Sequence, residues 1–258
     1  MGRVLIIPAA GLGSRLQSDV PKVLFPVNGR PMIDYLIDLY APFVDRIVLV
    51  INPSHSAIID AYCEMYDRPF DIAIQVSPTG MLDAILMARN CVEKNLHHDR
   101  DQVWITWCDQ IAVNPNTVKK LAVLAERCDG VIMPTVIRSQ PYIHWVRNQS
   151  SMIIDLLQQR EGDEMPKIGE GDVGLFAMTR RTYLELLPEF AARSGVGKKT
   201  SESNFLPFVP WVASRVEVVT FPVQNEIESI GINTRDELSL VEDYLNGITQ
   251  TIDHRSSL

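Results

Sequence analysis

The chain has 258 residues, of which 46% are hydrophobic and 22% are charged, and its net charge is −8. This balance is typical of a globular protein and too apolar for a disordered one. The negative charge disfavours general binding to nucleic acid or to an anionic membrane surface. The N-terminus lacks the features of a secretory signal, and no apolar run approaches the ~20 residues of a membrane span. We therefore expect a cytoplasmic protein with neither nucleic-acid nor membrane partners.

The first half of the chain alternates between strand and helix patterns. Short continuous apolar runs indicate buried strands, and apolar residues at helical spacing indicate the helices between them. Strands are predicted over 4–7, 46–51, 72–76, 103–107 and 130–136, and helices over 31–40, 57–66, 81–91 and 116–127. Such alternation predicts right-handed βαβ units on a mostly parallel sheet.

The second half has a looser pattern. Strands are predicted over 143–146, 152–157, 174–177 and 216–221, a helix over 181–193, and an exposed loop over 194–203. A terminal helix is predicted to begin near Thr234, which can cap it together with Glu237. No polar linker or internal repeat divides the chain. We therefore predict one α/β domain, with a mixed, mostly parallel sheet flanked by helices.

The stretch "AAGLGSRL" follows the first predicted strand, at the sheet edge where open parallel sheets bind ligands. Gly11 and Gly13 let backbone amides approach a ligand closely, and Arg15 can add a bidentate contact to an oxyanion. The stretch is not a GxGxxG fingerprint, because Leu16 stands at the third glycine position, and no Walker lysine follows. The residues alone predict a phosphate-binding loop.

The longer string over 9–16 and 18–24 resembles the signature of nucleotidyltransferases that act on sugar phosphates. The resemblance is closest to the uridylyltransferase domain of N-acetylglucosamine-1-phosphate uridylyltransferase, and it continues through "GRPMIDYLI". It implies a single Rossmann-like, GT-A-like domain over 1–258, with a nucleotide-binding half of about 1–137 and an acceptor-binding half of about 138–258. Arg15 and Lys22 match an arginine and a lysine that neutralise charge on the triphosphate in that family. The matching residues of the phosphate loop are Ala9, Ala10, Gly11 and Gly13.

Two further segments match the family's nucleotide and metal sites. "IQVSPTGMLDAI" resembles a base-reading segment, in which Gln75 would read a pyrimidine edge and Gly80 would lie against the base. A side-chain amide offers both a donor and an acceptor, which suits uracil, thymine or cytosine. Asp109, just after a predicted strand, and Asn233, in "IGINTRDEL", match the family's metal ligands, and their oxygens suit Mg²⁺.

The acceptor side matches the family less closely. In "GEGDVGLFAM", Gly174 fits the sugar-contacting segment, but Asp172 replaces the family's asparagine. Glu202 matches an acidic residue that precedes a late helix. Upstream, "PYIHWVRN" is bulkier than the small turn of relatives. The resemblance therefore implies acceptor binding by Asp172, Gly174 and Glu202, while the identity of the acceptor stays open.

Taken together, the resemblance implies a Mg²⁺-dependent transfer of a nucleoside monophosphate from a nucleoside triphosphate, with release of pyrophosphate. A sugar 1-phosphate is the expected acceptor and a pyrimidine triphosphate the expected donor. A cytidylyltransferase acting on phosphocholine or a polyol phosphate is an alternative, and a nucleotide-binding module without catalysis is another. The sequence does not separate UTP, CTP and dTTP, and it carries no information on oligomeric state.

Overall fold

The computed structural model describes residues 1–11, 20–65 and 70–247, together with the backbone of a terminal helix to residue 256. Within these residues the chain forms twelve strands. They are β1 (Arg3–Pro8), β2 (Pro26–Val27), β3 (Arg30–Pro31), β4 (Arg46–Ile51), β5 (Phe70–Ile74), β6 (Gln102–Thr106), β7 (Val131–Ser139), β8 (Ile143–Arg147), β9 (Ile153–Gln158), β10 (Ile168–Asp172), β11 (Leu175–Thr179) and β12 (Val218–Pro222).

Helices connect most of these strands. The α-helices are α1 (Met32–Tyr40), α2 (Ser56–Cys63), α3 (Met81–Met87), α4 (Arg89–Asn95), α5 (Pro115–Ala125), α6 (Leu187–Ala191), α7 (Phe208–Val212) and α8 (Arg235–Ser256). Among the described residues, no helix has the length and apolar character that crossing a membrane requires.

One central sheet organises the domain. Its strand order is β10-β7-β11-β6-β1-β4-β5, and β12 pairs with β7. The β1, β4, β5 and β6 pairings are parallel, as is β12 with β7, whereas β10 and β11 run antiparallel to their neighbours. Strands β2 and β3 form one small hairpin, and β8 and β9 form another. The predicted α/β class and the mixed, mostly parallel sheet are therefore confirmed.

The core lies on both faces of this sheet. Leu5 and Ile7 of β1 pack in one apolar cluster with α1 and α5, while Val4 and Ile6 pack in a second cluster with α3. Successive side chains of a strand point to opposite faces, so a strand covered on both sides reads as a continuous apolar run. Each fully buried Leu or Ile contributes roughly 1.5–3 kcal/mol to stability.

One predicted helix is divided in the structure, and one strand of the central sheet was not predicted. The helix predicted over 81–91 is two helices, α3 and α4, because the chain turns at Ala88 (φ −75°, ψ −2°). Strand β10 was not predicted, since four of the five residues of its sequence IGEGD are glycines or acids, which are depleted in strands. It forms by pairing with β7, from Ile168 opposite Ser139 to Asp172 opposite Thr135.

The fold gathers several chain segments at the C-terminal edge of β6. The turn between β10 and β11 reaches this edge because Leu175 pairs with Thr106, and the Trp107 amide donates to the Gly174 carbonyl (3.1 Å). The start of α8 also lies there, since the Ile232 amide donates to the carbonyl of Asp109 (3.2 Å). Strand ends of this kind are where open α/β sheets bind ligands.

Candidate functional site

Lys22, Asp109 and Asn233 meet at this edge of the sheet. The Lys22 Nζ donates to the Asn233 Oδ1 (2.8 Å) and forms a salt bridge with the Asp109 Oδ2. Both charged side chains are largely buried, with 14% of the Lys22 side chain exposed and 13% of that of Asp109. Three residues from distant parts of the chain thus form one charged cluster, as the sequence predicted for a common site.

Local structure fixes the direction of Lys22. Lys22 begins a single helical turn, Lys22–Leu24, after Pro21, and this turn contains the fully buried Val23. The backbone amides of Leu24 and Phe25 close the turn by donating to the carbonyls of Pro21 and Lys22. The turn fixes the point at which the Lys22 side chain leaves the backbone, and the contacts with Asn233 and Asp109 fix its ammonium, which acts as a point charge.

The Asp109 carboxyl lies directly against Gly231. A methyl group built on Gly231 would stand 2.9 Å from the Asp109 Oδ1 and 3.0 Å from its Cγ, closer than ordinary van der Waals contact. The neighbouring Gln110 anchors the same turn, since its Nε2 donates to the carbonyl of Glu228 (2.8 Å). Sequence reasoning missed Gly231, although it lies within the "IGINTRDEL" segment that supplied Asn233.

Asn233 is oriented by the first turn of α8. Its Nδ2 donates to the Gly231 carbonyl (3.0 Å), which leaves its Oδ1 directed at Lys22. Its backbone amide and that of Thr234 both donate to Glu237 Oε2 (2.8 Å each), and the Glu237 amide donates to the Thr234 Oγ1 (3.3 Å). This reciprocal capping box is the predicted one, and it fixes the residue that precedes it.

The donor set of this cluster fits a magnesium ion. A carboxylate oxygen of Asp109 and an amide oxygen of Asn233 already converge on one cation, the Lys22 ammonium. Hard oxygen ligands of this kind suit Mg²⁺, which takes few protein ligands and keeps phosphate and water oxygens. Among the described residues, no cluster of three or more His, Cys, Asp or Glu side chains could hold a metal.

A cleft of about 890 Å³ opens beside this cluster. Asp109 and Asn233 line it together with Asp172 and Gly174, two of the three residues predicted to face the acceptor. Its volume lies within the range typical of small-molecule sites. The predicted metal ligands and two predicted acceptor-binding residues therefore share one cavity.

Asp172 and Gly174 shape one wall of the cleft. The Gly174 amide donates to Asp172 Oδ1 (2.7 Å), and burial raises the pKa of the Asp172 carboxyl to about 6. Gly174 has φ +69°, and a methyl group there would stand 2.6 Å from Trp107 Cδ1. A side chain would be strained at this position and would collide with the indole, so the turn requires glycine.

Glu202 contacts the cleft through another residue. Its carboxylate pairs with Arg160 (3.1 Å), which lines the cavity and also donates to Asn204. Sequence reasoning missed Glu161, which is 9% exposed and binds the loop over residues 199–204 through hydrogen bonds. It accepts from the Lys199 amide (2.9 Å) and the Thr200 hydroxyl (2.6 Å), and these bonds lower the pKa of its carboxyl to about 2.

Gln75 and Gly80, the predicted base readers, lie together. The buried Gln75 follows β5, and its Nε2 donates to the carbonyl of Gly80 (3.1 Å). Gly80 has φ +132°, and a methyl group there would overlap the Ser203 backbone. The Leu82 amide donates to the Ser203 carbonyl (3.0 Å), which fixes the start of α3. Their base-reading role stays a prediction.

The predicted phosphate loop is described only at its start. Ala9 and Ala10 are buried after β1, and Gly11 is exposed. The Ala9 amide donates to the Val50 carbonyl (2.7 Å), so this amide is committed to the sheet. Gly13 and Arg15 lie outside the described residues, and their roles stay predictions.

Comparison with known proteins connects this geometry to a family. The model of the MobA-like NTP transferase domain matches residues 5–170. Three relatives are each called bifunctional protein GlmU. The chain is 25% identical to that of Pseudothermotoga lettingae over 243 residues, 26% to that of Caldicellulosiruptor saccharolyticus over 249, and 28% to that of Thermodesulfovibrio yellowstonii over 250. These alignments cover 93% of this chain but only 50–52% of each relative, so the chain spans about half their length.

Proposed function

The chain belongs to the family of MobA-like NTP transferase domains, and from this premise we propose that it is a nucleotidyltransferase acting on a phosphorylated acceptor. It takes a nucleoside monophosphate from a nucleoside triphosphate and releases pyrophosphate. The observation that carries the proposal is the meeting of Lys22, Asp109 and Asn233 beside the cleft. A pyrimidine triphosphate as donor and a sugar 1-phosphate as acceptor are the finer parts of the proposal.

The reaction is an in-line displacement. An oxygen of the acceptor phosphate forms a bond to the α-phosphorus, and the bond from that phosphorus to the bridging oxygen of pyrophosphate breaks. Such chemistry depends on positioning and on charge neutralisation, and it needs no protein nucleophile. No proton is transferred in this step, because the acceptor phosphate attacks as an anion and pyrophosphate leaves as an anion.

Each residue of the cluster has a part in holding charge. Asp109 and Asn233 would hold Mg²⁺ through their side-chain oxygens. When bound, Mg²⁺ supplies neutralisation of the phosphate oxygens. Lys22 places a positive charge beside the same oxygens and stabilises the charge that develops on pyrophosphate as it leaves. Arg15 is proposed to assist Lys22.

Base and acceptor recognition are proposed for two groups of residues. Gln75 and Gly80 would read the base. The Nε2 of Gln75 donates to Gly80, whereas its side-chain carbonyl oxygen has no hydrogen-bond partner among the described residues and would be available to a base. Asp172, Gly174 and Glu202 would act on the acceptor side. The Asp172 carboxylate suits a hydroxyl or an amine as its partner.

A non-sugar phosphate is the second candidate for the acceptor. The observation that favours it is the acceptor wall itself, where Asp172 faces the cleft and the 55%-exposed ring of Tyr142 stands at its edge. Such a wall could accept phosphocholine or a polyol phosphate, with CTP as the donor.

The test is a matrix of nucleoside triphosphates against phosphorylated acceptors, scored by pyrophosphate release with Mg²⁺ present. We expect release for one pairing and none for Asp109→Ala, because that change removes a metal ligand. The matched control is Asp38→Ala, whose carboxylate is 66% exposed and pairs with Arg30 away from the cleft. Pyrophosphate release from no pairing would contradict catalysis and leave a nucleotide-binding module.

A further inference from the structure

Arg138 lines the cleft without a carboxylate partner. It is half-buried, and no Asp or Glu of the described residues lies within ion-pair distance of its guanidinium. Two other partly buried arginines are paired with carboxylates: Arg3 contacts Glu126 (3.1 Å) and Arg147 contacts Glu170 (2.6 Å). A cation held away from water without a countercharge is costly unless a ligand supplies one.

The neighbours of Arg138 orient it without neutralising it. Its guanidinium carbon lies 5.2 Å from the centre of the Tyr142 ring, and its Nη1 donates to the Ser229 hydroxyl (3.3 Å). Its Nε is buried and has no hydrogen-bond partner within the described residues. A planar guanidinium stacked on a ring keeps its remaining N–H groups in a fork, which matches the two oxygens of a phosphate or carboxylate.

The position of Arg138 connects it to the proposed reaction site. Ser229, which accepts its hydrogen bond, lies two residues before Gly231, and Gly231 packs against the Asp109 carboxyl. Ser229 and Gly231 line the same cleft as Arg138. Arg160 also lines it, but its charge is already engaged by Glu202 (3.1 Å). Arg138 is therefore a cation of this cleft whose charge no described carboxylate engages.

We propose that Arg138 is an acceptor-binding residue that holds an oxyanion of the acceptor, a phosphate or a carboxylate. The assignment of that oxyanion to the acceptor rests on the proposed function. The oxyanion has two possible sources with the same chemistry. One is the phosphate that reacts, and the other is a second acidic group elsewhere on the acceptor. In both cases Tyr142 and Ser229 position the guanidinium, and the acceptor supplies the countercharge.

The first experiment measures oxyanion binding at Arg138 and does not require catalysis. The purified chain is treated with phenylglyoxal, an arginine-selective reagent, with and without inorganic phosphate, and labelling is mapped by mass spectrometry. We expect phosphate to slow labelling of Arg138 and to leave Arg181, a 60%-exposed surface residue, unchanged. Equal labelling of Arg138 with and without phosphate overturns the proposal, and so does complete absence of labelling, because the fork must be reachable from the cleft.

The second experiment uses the variants Arg138→Gln and Arg138→Lys, with Arg181→Gln as the matched control. For the acceptor found in the matrix, Arg138→Gln should raise the acceptor KM about tenfold to a hundredfold, the loss expected for charge-assisted hydrogen bonds, and should leave the triphosphate KM unchanged. Arg138→Lys keeps the charge but not the forked pair of N–H donors, so its acceptor KM should lie between those of the wild type and Arg138→Gln. An unchanged acceptor KM overturns the proposal.

The choice of acceptors separates the two sources. If the effect appears with acceptors that carry one phosphate only, Arg138 holds the reacting phosphate. If it appears only with acceptors that carry a further phosphate or carboxylate, Arg138 holds that second group. Both outcomes support the proposal. Failure of the proposed function would appear as no pyrophosphate from any acceptor, while the labelling experiment would still report whether Arg138 binds an oxyanion.

Discussion

Lys22 and Asn233 stand 211 residues apart in the chain, and a hydrogen bond of 2.8 Å joins the Lys22 Nζ to the Asn233 Oδ1. The same ammonium pairs with Asp109. The lysine therefore bridges the turn after β6 to the start of α8. It also occupies the point on which the two proposed metal ligands converge. A magnesium ion bound by Asp109 and Asn233 would therefore compete with the lysine for the same oxygens.

The competition gives Lys22→Ala two opposite effects. Without the ammonium, Asp109 and Asn233 are free to bind a divalent cation, so the affinity for Mn²⁺, used as a paramagnetic probe in the absence of nucleotide, should rise. Turnover should nevertheless fall by about 10²–10³, because a charge that stabilises the leaving pyrophosphate is lost. Electron paramagnetic resonance gives the first quantity and pyrophosphate release the second.

Lys94→Ala is the control for that pair of measurements, since its side chain is 76% exposed and lies 3.9 Å from Asp71, outside the residues of the cleft. It should change neither quantity. Weaker Mn²⁺ binding in Lys22→Ala would contradict the idea that the lysine and a metal share the oxygens of Asp109 and Asn233.

Gly231→Ala should impair turnover more than stability. The added methyl group would stand 2.9 Å from the Asp109 Oδ1, so the carboxylate must shift. A displacement of about 1 Å in a catalytic group can cost about 10²-fold in rate. Gly195→Ala is the matched control, because nothing lies within 4 Å of its added methyl group. A wild-type rate for Gly231→Ala, with the melting temperature unchanged, would mean that this contact does not position Asp109.

The sequence sufficed for the parts of the fold that depend on local pattern. Strand β4 over Arg46–Ile51 has the predicted bounds, because its continuous apolar run, typical of a strand buried on both faces, ends at Asn52-Pro53. The sequence also predicted that Lys22, Asp109 and Asn233 lie together, which the structure shows, while their roles stay predictions. Each was found through the family resemblance, and the strand-end position of Asp109 added a physical reason.

What the sequence did not reveal depends on tertiary contact. Gly231 is an ordinary glycine until the Asp109 carboxyl is placed against it. Arg138 reads as a solvated cation until the cleft forms around it, and β10 exists as a strand because β7 offers it an edge. Glu161 is one acid in a polar loop until residues 199–204 wrap around it. No local propensity encodes such pairings.

Glu161→Gln should loosen the 197–204 loop and lower the melting temperature. Glu161 accepts hydrogen bonds from the Lys199 amide, the Thr200 hydroxyl and the Asn204 amide. Loss of a charged acceptor in such a network costs about 1–3 kcal/mol, and each kcal/mol lowers the melting temperature by about 2–4 °C in a domain of this size. Glu185→Gln, whose carboxylate is 63% exposed, is the control. Calorimetry measures both.

The difference in melting temperature between the wild type and Glu161→Gln should also depend on pH. The folded pKa of Glu161 is about 2, below its usual value of 4.5, because its hydrogen bonds favour the charged form. Its contribution to stability is therefore complete above about pH 4.5 and is lost as the pH falls through about 2. The gap in melting temperature between the wild type and Glu161→Gln should narrow as the pH falls through this window. A constant gap would mean that the charge of Glu161 does not hold the loop.

Asp172→Asn should show the opposite dependence. Burial raises the folded pKa of Asp172 to about 6, above its usual 3.8, so between these values the folded state holds a proton that the unfolded state has lost. Stability therefore falls as the pH rises through that window, and above about pH 6 the folded protein carries the full cost of a buried charge.

The asparagine of Asp172→Asn keeps an oxygen for the Gly174 amide and carries no charge. We expect the variant to melt about 2–4 °C higher than the wild type at neutral pH, the shift given by about 1 kcal/mol, and the two to converge below about pH 3.8. Asp38→Asn, at an exposed carboxylate, should show no such trend. A variant that is less stable than the wild type at neutral pH would indicate that the Asp172 charge has a partner that offsets its burial.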